Sequence, residues 1–270
     1  MSQDSKSSRL LDVEIAEIGT FTGLIKKLST MIVDARFIFS QTDSTNKNKG
    51  GLVFKQSSED GQSFIDLRIG ASKFQKFLCN KDYVDIGVDM KNFHTSLNMI
   101  GDKVAVRFYI LKNTPEVLHI RSLEDYPVKI DFFLQTVTET KVPNMLTEGR
   151  PCFQVERGRF YTICKEYLAV ANGISLTVND DQMLFNIKSK EIGEICRCIP
   201  LLDASNNKKG KVINGNFEVG KVLSFFDYLK RDDNLKVIID NDFPLVLTFA
   251  IPSLGVVVIA CTPLDTGRDD

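Results

Sequence analysis

The side chains in this 270-residue sequence that invite a chemical reading are two histidines, six cysteines, a few paired aspartates and one basic glycine-containing loop. General acid-base or nucleophilic catalysis needs an acid, a base and a nucleophile held within hydrogen-bond reach. His94 falls on a helical pattern and His119 inside a strand pattern, and each reads as an ordinary structural position. Cys196-Arg197-Cys198 has single-residue spacing, which does not suit a zinc knuckle. No second cysteine pair follows it, and on a strand the two thiols share one face. Lys47-Asn48-Lys49-Gly50-Gly51 lacks the G-x-x-x-x-G-K-S/T pattern whose amides cradle phosphate. Asp180-Asp181 and Asp232-Asp233 sit in turn contexts where aspartate caps or solvates a bend. These observations favour a binding or scaffolding protein over an enzyme, with no metal and no cofactor.

The elements that would position any binding residues repeat. An apolar stripe at Phe21, Leu24, Ile25, Leu28 and Ile32 recurs as Phe160, Ile163, Cys164, Tyr167 and Ala171, each stepping i, i+3, i+4, i+7, i+11 along one helical face. A second helix follows in each half: Met90, Phe93, Leu97 and Ile100, then Val219, Val222, Leu223, Phe226 and Leu229. Alternating or apolar runs at Phe64–Ile69, Val104–Phe108, Ile174–Val178 and Met183–Ile187 predict strands. Each half thus offers many short strands and two helices with one apolar and one polar face.

The basic residues (34) and acidic residues (35) leave a net charge of -1, so no bulk field attracts a polyanion. Contact with nucleic acid would need charge segregated onto one face. Met1 to Leu10 is polar, and no apolar run approaches the ~20 residues of a membrane span. A soluble intracellular protein without membrane partners is expected. Cys79, Cys152, Cys164, Cys196, Cys198 and Cys261 lie mostly in apolar segments and read as reduced core thiols of a reducing compartment.

Turn-rich segments divide the chain. Gln41–Gly51 reads as a long loop between strands at Phe37–Phe39 and Leu52–Phe54, and Asp203–Gly210 as its counterpart. Thr136–Pro151, with two prolines and no helical period, reads as an exposed connector. The expected organisation is an N-terminal tail (1–10), a first domain (11–135), the connector (136–151), a second domain (152–264) and a C-terminal tail (265–270).

The repeat, the connector and the closing stretch Asn241–Pro263 together resemble the eukaryotic and viral DNA sliding clamp family, proliferating cell nuclear antigen. The resemblance spans Ala16 to Leu264. Its best segments are Val84–Phe93, Asp125–Ile130, Gly158–Glu166, Leu223–Phe226 and Asp242–Leu247, and their order and spacing carry it. It implies an α+β DNA clamp fold: two similar domains, each with two helices packed on antiparallel sheets, forming part of a closed ring in which helices face duplex DNA.

The resemblance further implies sites. Lys26, Lys27, Lys91, Arg157, Arg159, Lys165, Lys221, Lys230 and Arg231, on or beside the helices, would meet phosphates without reading bases. Lys165 and Lys221 fall at basic positions of the family, whereas Ser29, Thr95 and Asn98 stand where the family usually has further lysines. A partner-peptide groove would involve Val142, Pro143, Pro244, Ala260, Cys261, Thr262 and Pro263, small or apolar residues suited to a shallow pocket. Ser57-Ser58-Glu59 replaces the family's bulky apolar loop residue. Subunits would meet through strands Glu116–Arg121 (Glu116, Leu118, His119, Arg121) and Gly193–Ile199 (Glu194, Ile195, Arg197). The implied role is a polymerase processivity factor of divergent, viral character. It would act as a homotrimer on double-stranded DNA with a polymerase, a clamp loader and other peptide-motif proteins, in a nucleus or viral replication compartment. The rival reading is a checkpoint-type or transcription-linked relative acting in a hetero-oligomer.

Overall fold

A computed structural model describes residues 8–42, 50–138, 147–189, 191–205, 212–223, 234–251 and 253–264. The chain forms two compact units. The first comprises Met1–Glu59, Asp66–Val142 and Ile251–Val256, and the second Asp60–Ile65, Pro143–Ala250 and Val257–Asp270. In this division the main change from first to second unit falls between Val142 and Pro143, and each unit also takes a short segment from the far half of the sequence.

The first unit runs β1 (Arg9–Ile15), α1 (Gly19–Leu28), β2 (Asp34–Ser40), β3 (Gly51–Ser57), β4 (Ser63–Gly70), β5 (Lys76–Cys79), β6 (Tyr83–Asp89), α2 (Met90–Asn98), β7 (Val106–Leu111), β8 (Thr114–Ser122) and β9 (Lys129–Phe133), with β4 beginning in the segment assigned to the second unit. One sheet has the order β5-β1-β7-β8-β9, and the remaining strands run β4-β3-β2-β6. The strands expected on either side of the first long loop pair with each other, Phe37 opposite Phe54 and Phe39 opposite Leu52. Residues 43–49 of that loop lie outside the described residues.

The apolar stripes do what their spacing predicts. Phe21 of α1 meets Phe108 of β7 edge-on at 6.1 Å, and Phe93 of α2 meets Phe37 at 6.0 Å and Phe132 at 5.5 Å. Asp89 caps α2 by accepting from the Asn92 amide at 2.7 Å, satisfying one of the helix's unbonded donors. Two details depart from the sequence reading. The predicted strand from Val104 starts at Val106. Arg9 and Leu10, expected in a tail, belong to β1, because Arg9 is anchored to Asp12 at 2.7 Å.

The second unit holds β10 (Cys152–Glu156), α3 (Arg157–Leu168), β11 (Gly173–Val178), β12 (Gln182–Ser189), β13 (Gly193–Pro200), β14 (Asp203–Ser205), β15 (Ile213–Glu218), α4 (Val219–Leu223), β16 (Asn234–Ile238), β17 (Leu245–Ile251) and β18 (Gly255–Cys261), the last two reaching into the segment 251–256 of the first unit. Its four-stranded sheet has the order β13-β12-β11-β15, and the other strands run β14-β10-β16-β17-β18. Phe160 of α3 packs edge-on against Phe185 of β12 at 5.2 Å. Asp203–Ser205, expected as loop, pairs with β10. Phe226 and Leu229 lie outside the described residues. The two-helix, many-strand pattern predicted for each half is the pattern observed.

A polar chain crosses the outer side of the five-stranded sheet. Asp12 on β1 is fully buried and accepts from Arg107 on β7 (2.7 and 2.6 Å), Lys76 on β5 (2.5 Å) and Arg9 (2.7 Å). Burial pushes its carboxyl up, but the hydrogen bonds from Arg107, Lys76 and Arg9 outweigh it and hold the group at about 2. Tyr109, opposite Asp12, stacks on His119 of β8 at 4.8 Å. His119 in turn contacts Asp131 of β9 at 2.7 Å.

Asp12→Asn should lower unfolding free energy at neutral pH by about 3 kcal/mol, the usual cost of stripping buried charges of their partner, read from the urea midpoint. The difference has a definite pH dependence. A carboxyl held at about 2 in the fold and near 3.9 when unfolded contributes stability that is complete above pH ~4 and is lost as pH falls towards ~2. The gap between wild type and variant should therefore close on acidification across that window.

Candidate nucleic-acid interface

The helix-borne cations fall into three groups. Lys26 and Lys27 occupy the last turn of α1, where a positive side chain is favoured by the helix dipole. Lys26 is exposed and Lys27 half-buried. Lys91 is exposed in the first turn of α2, and α1 packs beside α2. On α3, Lys165 is exposed and lies over the Tyr161 ring at 5.8 Å, and Arg159 is exposed but bonded to Glu156 at 2.7 Å. These five residues present charge on helix surfaces.

Two others do not. Arg157 is only 2% exposed, so it cannot meet a phosphate. The reason is periodic: Arg157, Phe160, Tyr161 and Cys164 stand at i, i+3, i+4 and i+7, which puts Arg157 on the buried row of α3. Lys221 is held by three partners, Asp60 at 2.7 Å, Glu218 at 3.1 Å and the Gln62 side chain. Burial alone would lower its pKa, but the bonds to Asp60 and Glu218 raise it. It is an internal counter-ion in the structure, and the Glu218–Lys221 spacing of three was the readable sign. Lys230 and Arg231 lie outside the described residues. Two of the non-basic substitutions are explained by backbone bonding: the Ser29 hydroxyl donates to the Lys26 carbonyl at 2.7 Å and that of Thr95 to Lys91 at 2.8 Å.

Of the expected groove, Val142 and Pro143 lie outside the described residues. Pro244 and Pro263 are half-buried and Thr262 exposed. Ala260 and Cys261 are 3% and 1% exposed, so their side chains belong to the core and do not line an open pocket. Ala260 sits in a cluster with Phe64, Ile238 and Val246, and with Ile259 and Cys261 also buried the end of β18 is covered on both faces. The sequence reading missed Phe243 beside this cluster, which lies under the Arg150 guanidinium at 3.6 Å while Arg150 also reaches Asp240 at 3.2 Å. An aromatic immediately before a proline and a basic residue closing the connector were the available signals.

The strands expected to join subunits behave differently from each other. β13 is a sheet border, with Glu194 and Arg197 exposed and Ile195 half-buried. β8 is not a border. β9 returns antiparallel onto it, pairing His119 with Asp131, Leu118 with Phe132 and Arg121 with Lys129. The return is pinned by Ser122, whose amide donates to the Val128 carbonyl at 3.0 Å and whose hydroxyl accepts from the Val128 amide at 2.8 Å. Leu118 is accordingly buried and His119 half-buried, while Glu116 and Arg121 stay exposed. Gly87 shows how the chain leaves this sheet. The Gln135 amide bonds to the Gly87 carbonyl at 2.9 Å, and a Cβ on Gly87 would lie 2.0 Å from the Gln135 carbonyl oxygen.

The first unit encloses an apolar void of about 20 Å³ between Val13, Phe21, Phe37, Phe93 and Phe108, too small and too apolar for a substrate. Among the described residues, no group of three or more His, Cys, Asp or Glu is arranged to hold a metal ion, and no helix is long and apolar enough to cross a membrane.

No known family profile matches the chain. It is 28% identical over 237 residues to a protein of Acanthamoeba polyphaga mimivirus described as "Probable DNA polymerase sliding clamp", covering 85% of this chain and 50% of that one. The chain thus spans half the length of that relative. It is also 17% identical to an uncharacterized protein of the same virus, over 97% of this chain and 80% of the other. Among solved structures it is similar to the proliferating cellular nuclear antigen of Entamoeba histolytica (TM-score 0.77, 15% identity) and that of Thermococcus kodakaraensis (TM-score 0.78, 17% identity). A third, the PCNA2-PCNA3 complex of Sulfolobus tokodaii, gives a TM-score of 0.78 at 16% identity. In all three the match covers 94% of this chain and 99% of the other. The chain has the DNA clamp fold.

The six cysteines separate by exposure. Cys196 and Cys198 are exposed, contrary to the expectation of core thiols, because they lie on the border strand β13. Burial pushes the Cys164 thiol far up and the Cys261 thiol up to about 12. In the folded protein, a maleimide at neutral pH should modify Cys196 and Cys198 well before Cys79, Cys164 and Cys261, which should react only on unfolding. Peptide mapping after a short exposure checks the order.

Proposed function

We propose that the chain is a DNA sliding clamp: a processivity factor that encircles duplex DNA and tethers a polymerase and other replication and repair enzymes without catalysing any reaction. The observation that carries this reading is the DNA clamp fold with paired helices whose exposed cations, Lys26, Lys91, Arg159 and Lys165, with the half-buried Lys27, are carried in a chain of net charge -1. Basic side chains on helix surfaces hold a phosphate backbone without fixing register, and a sliding contact requires that. The likeness to a viral protein described as a polymerase clamp supports the same assignment.

In this reading the protein is an intracellular homotrimer of a nuclear or viral replication compartment, served by a loader and by partners carrying apolar peptide anchors. Val142, Pro143, Pro244, Thr262 and Pro263 remain the proposed groove positions, with Phe243 and Arg150 added to them. A hetero-oligomeric reading has one specific support: one of the similar structures is a complex of two different clamp chains. The mass of the purified protein separates the two readings, since self-assembly alone favours the homotrimer.

Replacing Lys26, Lys91 and Lys165 together by glutamate should weaken duplex binding and polymerase stimulation while leaving thermal stability within normal surface-mutation scatter. Each lost phosphate contact should flatten the log-log salt dependence of DNA binding by about 0.9. Lys221→Ala should act oppositely, lowering stability while leaving the salt slope intact. An unchanged slope in the triple variant would remove these helices from the DNA face.

A further inference from the structure

The three partners of Lys221 lie on two separate stretches of the second unit, and one of those stretches is a turn. Asp60–Gln62 is built locally: Gly61 takes a φ of 68°, and one oxygen of the Asp60 carboxylate accepts the Gln62 amide at 3.0 Å. The other Asp60 oxygen accepts from Lys221 of α4 at 2.7 Å. Lys221 donates as well to Glu218 at 3.1 Å, at the end of β15, and to the side-chain oxygen of Gln62. An ammonium has three N–H groups, and here three acceptors meet them. With its side chain 18% exposed, Lys221 is committed to the turn and to β15.

The same turn carries the closing edge of the unit. The Gln62 carbonyl accepts both the amide of Thr262 at 2.9 Å and its hydroxyl at 3.0 Å. Two residues on, the Leu264 amide donates to the Asn216 carbonyl at 2.8 Å, and Pro263 between them has no amide to donate. Thr262–Leu264 is thus strung between two carbonyls. Asn216 lies within β15, paired to β11, so its carbonyl is fixed by the sheet. Gln62 stands just outside β4, and its place depends on the turn and on the lysine that grips it. The Cys261 thiol is buried at this junction, beside the Ser63 hydroxyl and within electrostatic reach of Lys221, Glu218 and Asp60.

We propose that Lys221 is a positioning residue for partner docking: it holds the Asp60–Gln62 turn, and through the Gln62 carbonyl it fixes the Thr262–Pro263 edge against which a partner's peptide binds. This deepens the groove assignment made above and depends on it. A cation at a helix position that the resemblance gives to DNA here serves the docking edge instead.

The test uses the whole protein with two substitutions. Lys221→Met keeps the apolar stem and removes the charge, and Lys221→Arg keeps a cation. Cys261, next to Thr262, reports on the edge, and Cys164, buried in α3, reports on unfolding of the unit as a whole. In Lys221→Met, maleimide should reach Cys261 about tenfold faster than in wild type, the factor for losing a hydrogen bond to a charged group, with Cys164 unchanged. The binding probe is a peptide selected on wild type from a random display library and no longer bound when Thr262→Arg blocks the edge. It should bind Lys221→Met about tenfold more weakly. Lys221→Arg should restore both readings, and duplex binding should keep its wild-type salt slope in both variants.

Cys164 rising in step with Cys261, a Cys261 rate that does not change, or an unchanged peptide affinity would overturn the positioning role, as would an arginine variant no better than methionine. A flattened salt slope would overturn it too, by placing Lys221 on phosphate, and would leave the clamp reading standing. If no selected peptide depends on Thr262, the groove at this edge falls together with the positioning role, while duplex binding still decides the clamp reading separately.

Discussion

The buried carboxylate of Asp12 is the contact on which the first unit's outer surface depends. A charge removed from water is tolerated only when paired and fully hydrogen-bonded, and Asp12 meets that demand with donors from β1, β5 and β7 at once. The pairing fixes more than three strands. It fixes Tyr109, which stacks on His119, which contacts Asp131, so the register of β9 is set by a chain of polar contacts that begins three strands further into the sheet. On the opposite face the same strands carry Val13, Phe108 and Leu118 against the helices, so a one-residue slip would expose the core and break the polar chain together.

The two units distribute charge in contrasting ways. In the first, Lys26 and Lys91, on packed helices, form no ion pair among the described residues. In the second, several cations are paired with acids: Lys221 with Asp60 and Glu218, and, at the surface, Arg197 with Glu166 and Arg159 with Glu156. A nearly neutral composition therefore conceals a local arrangement in which the useful positive charge is what the ion pairs within the chain leave over. Counting basic residues overstates the field that a polyanion meets, and partner geometry decides which of them count.

Much of the fold was legible because helix stripes and strand alternation are local signals. Phe21, Leu24, Ile25 and Leu28 specify α1, and their recurrence in α3 discloses the repeat. The same rule, applied three residues earlier, would have placed Arg157 on the buried row with Phe160 and Cys164. β9 was missed for a different reason. Its five residues follow Pro127 and offer only Ile130 and Phe132 as an alternating pair, too short a run to separate a strand from an extended connector. What makes it a strand is non-local: Ser122 closing the turn, and Phe93 receiving Phe132. The exposure of Cys196 and Cys198 likewise goes with the place of β13 at the border of its sheet among the described residues, a fact with no signature in the cysteines themselves.

The reciprocal exchange of short segments between the units bears on how the protein is made. Residues 251–256 complete the first unit, where Gly255 approaches the Arg68 carbonyl so closely that a Cβ would lie 2.1 Å from its oxygen. Residues 60–65 serve the second, where Thr262 bonds to the Gln62 carbonyl across 200 positions of chain. Neither unit is a contiguous stretch of polypeptide. During vectorial synthesis the first unit must wait, unfinished, until residue 256 has left the ribosome, and pairings of such long range close slowly. A cut at the connector would release two incomplete halves, each short of a strand segment the other still carries.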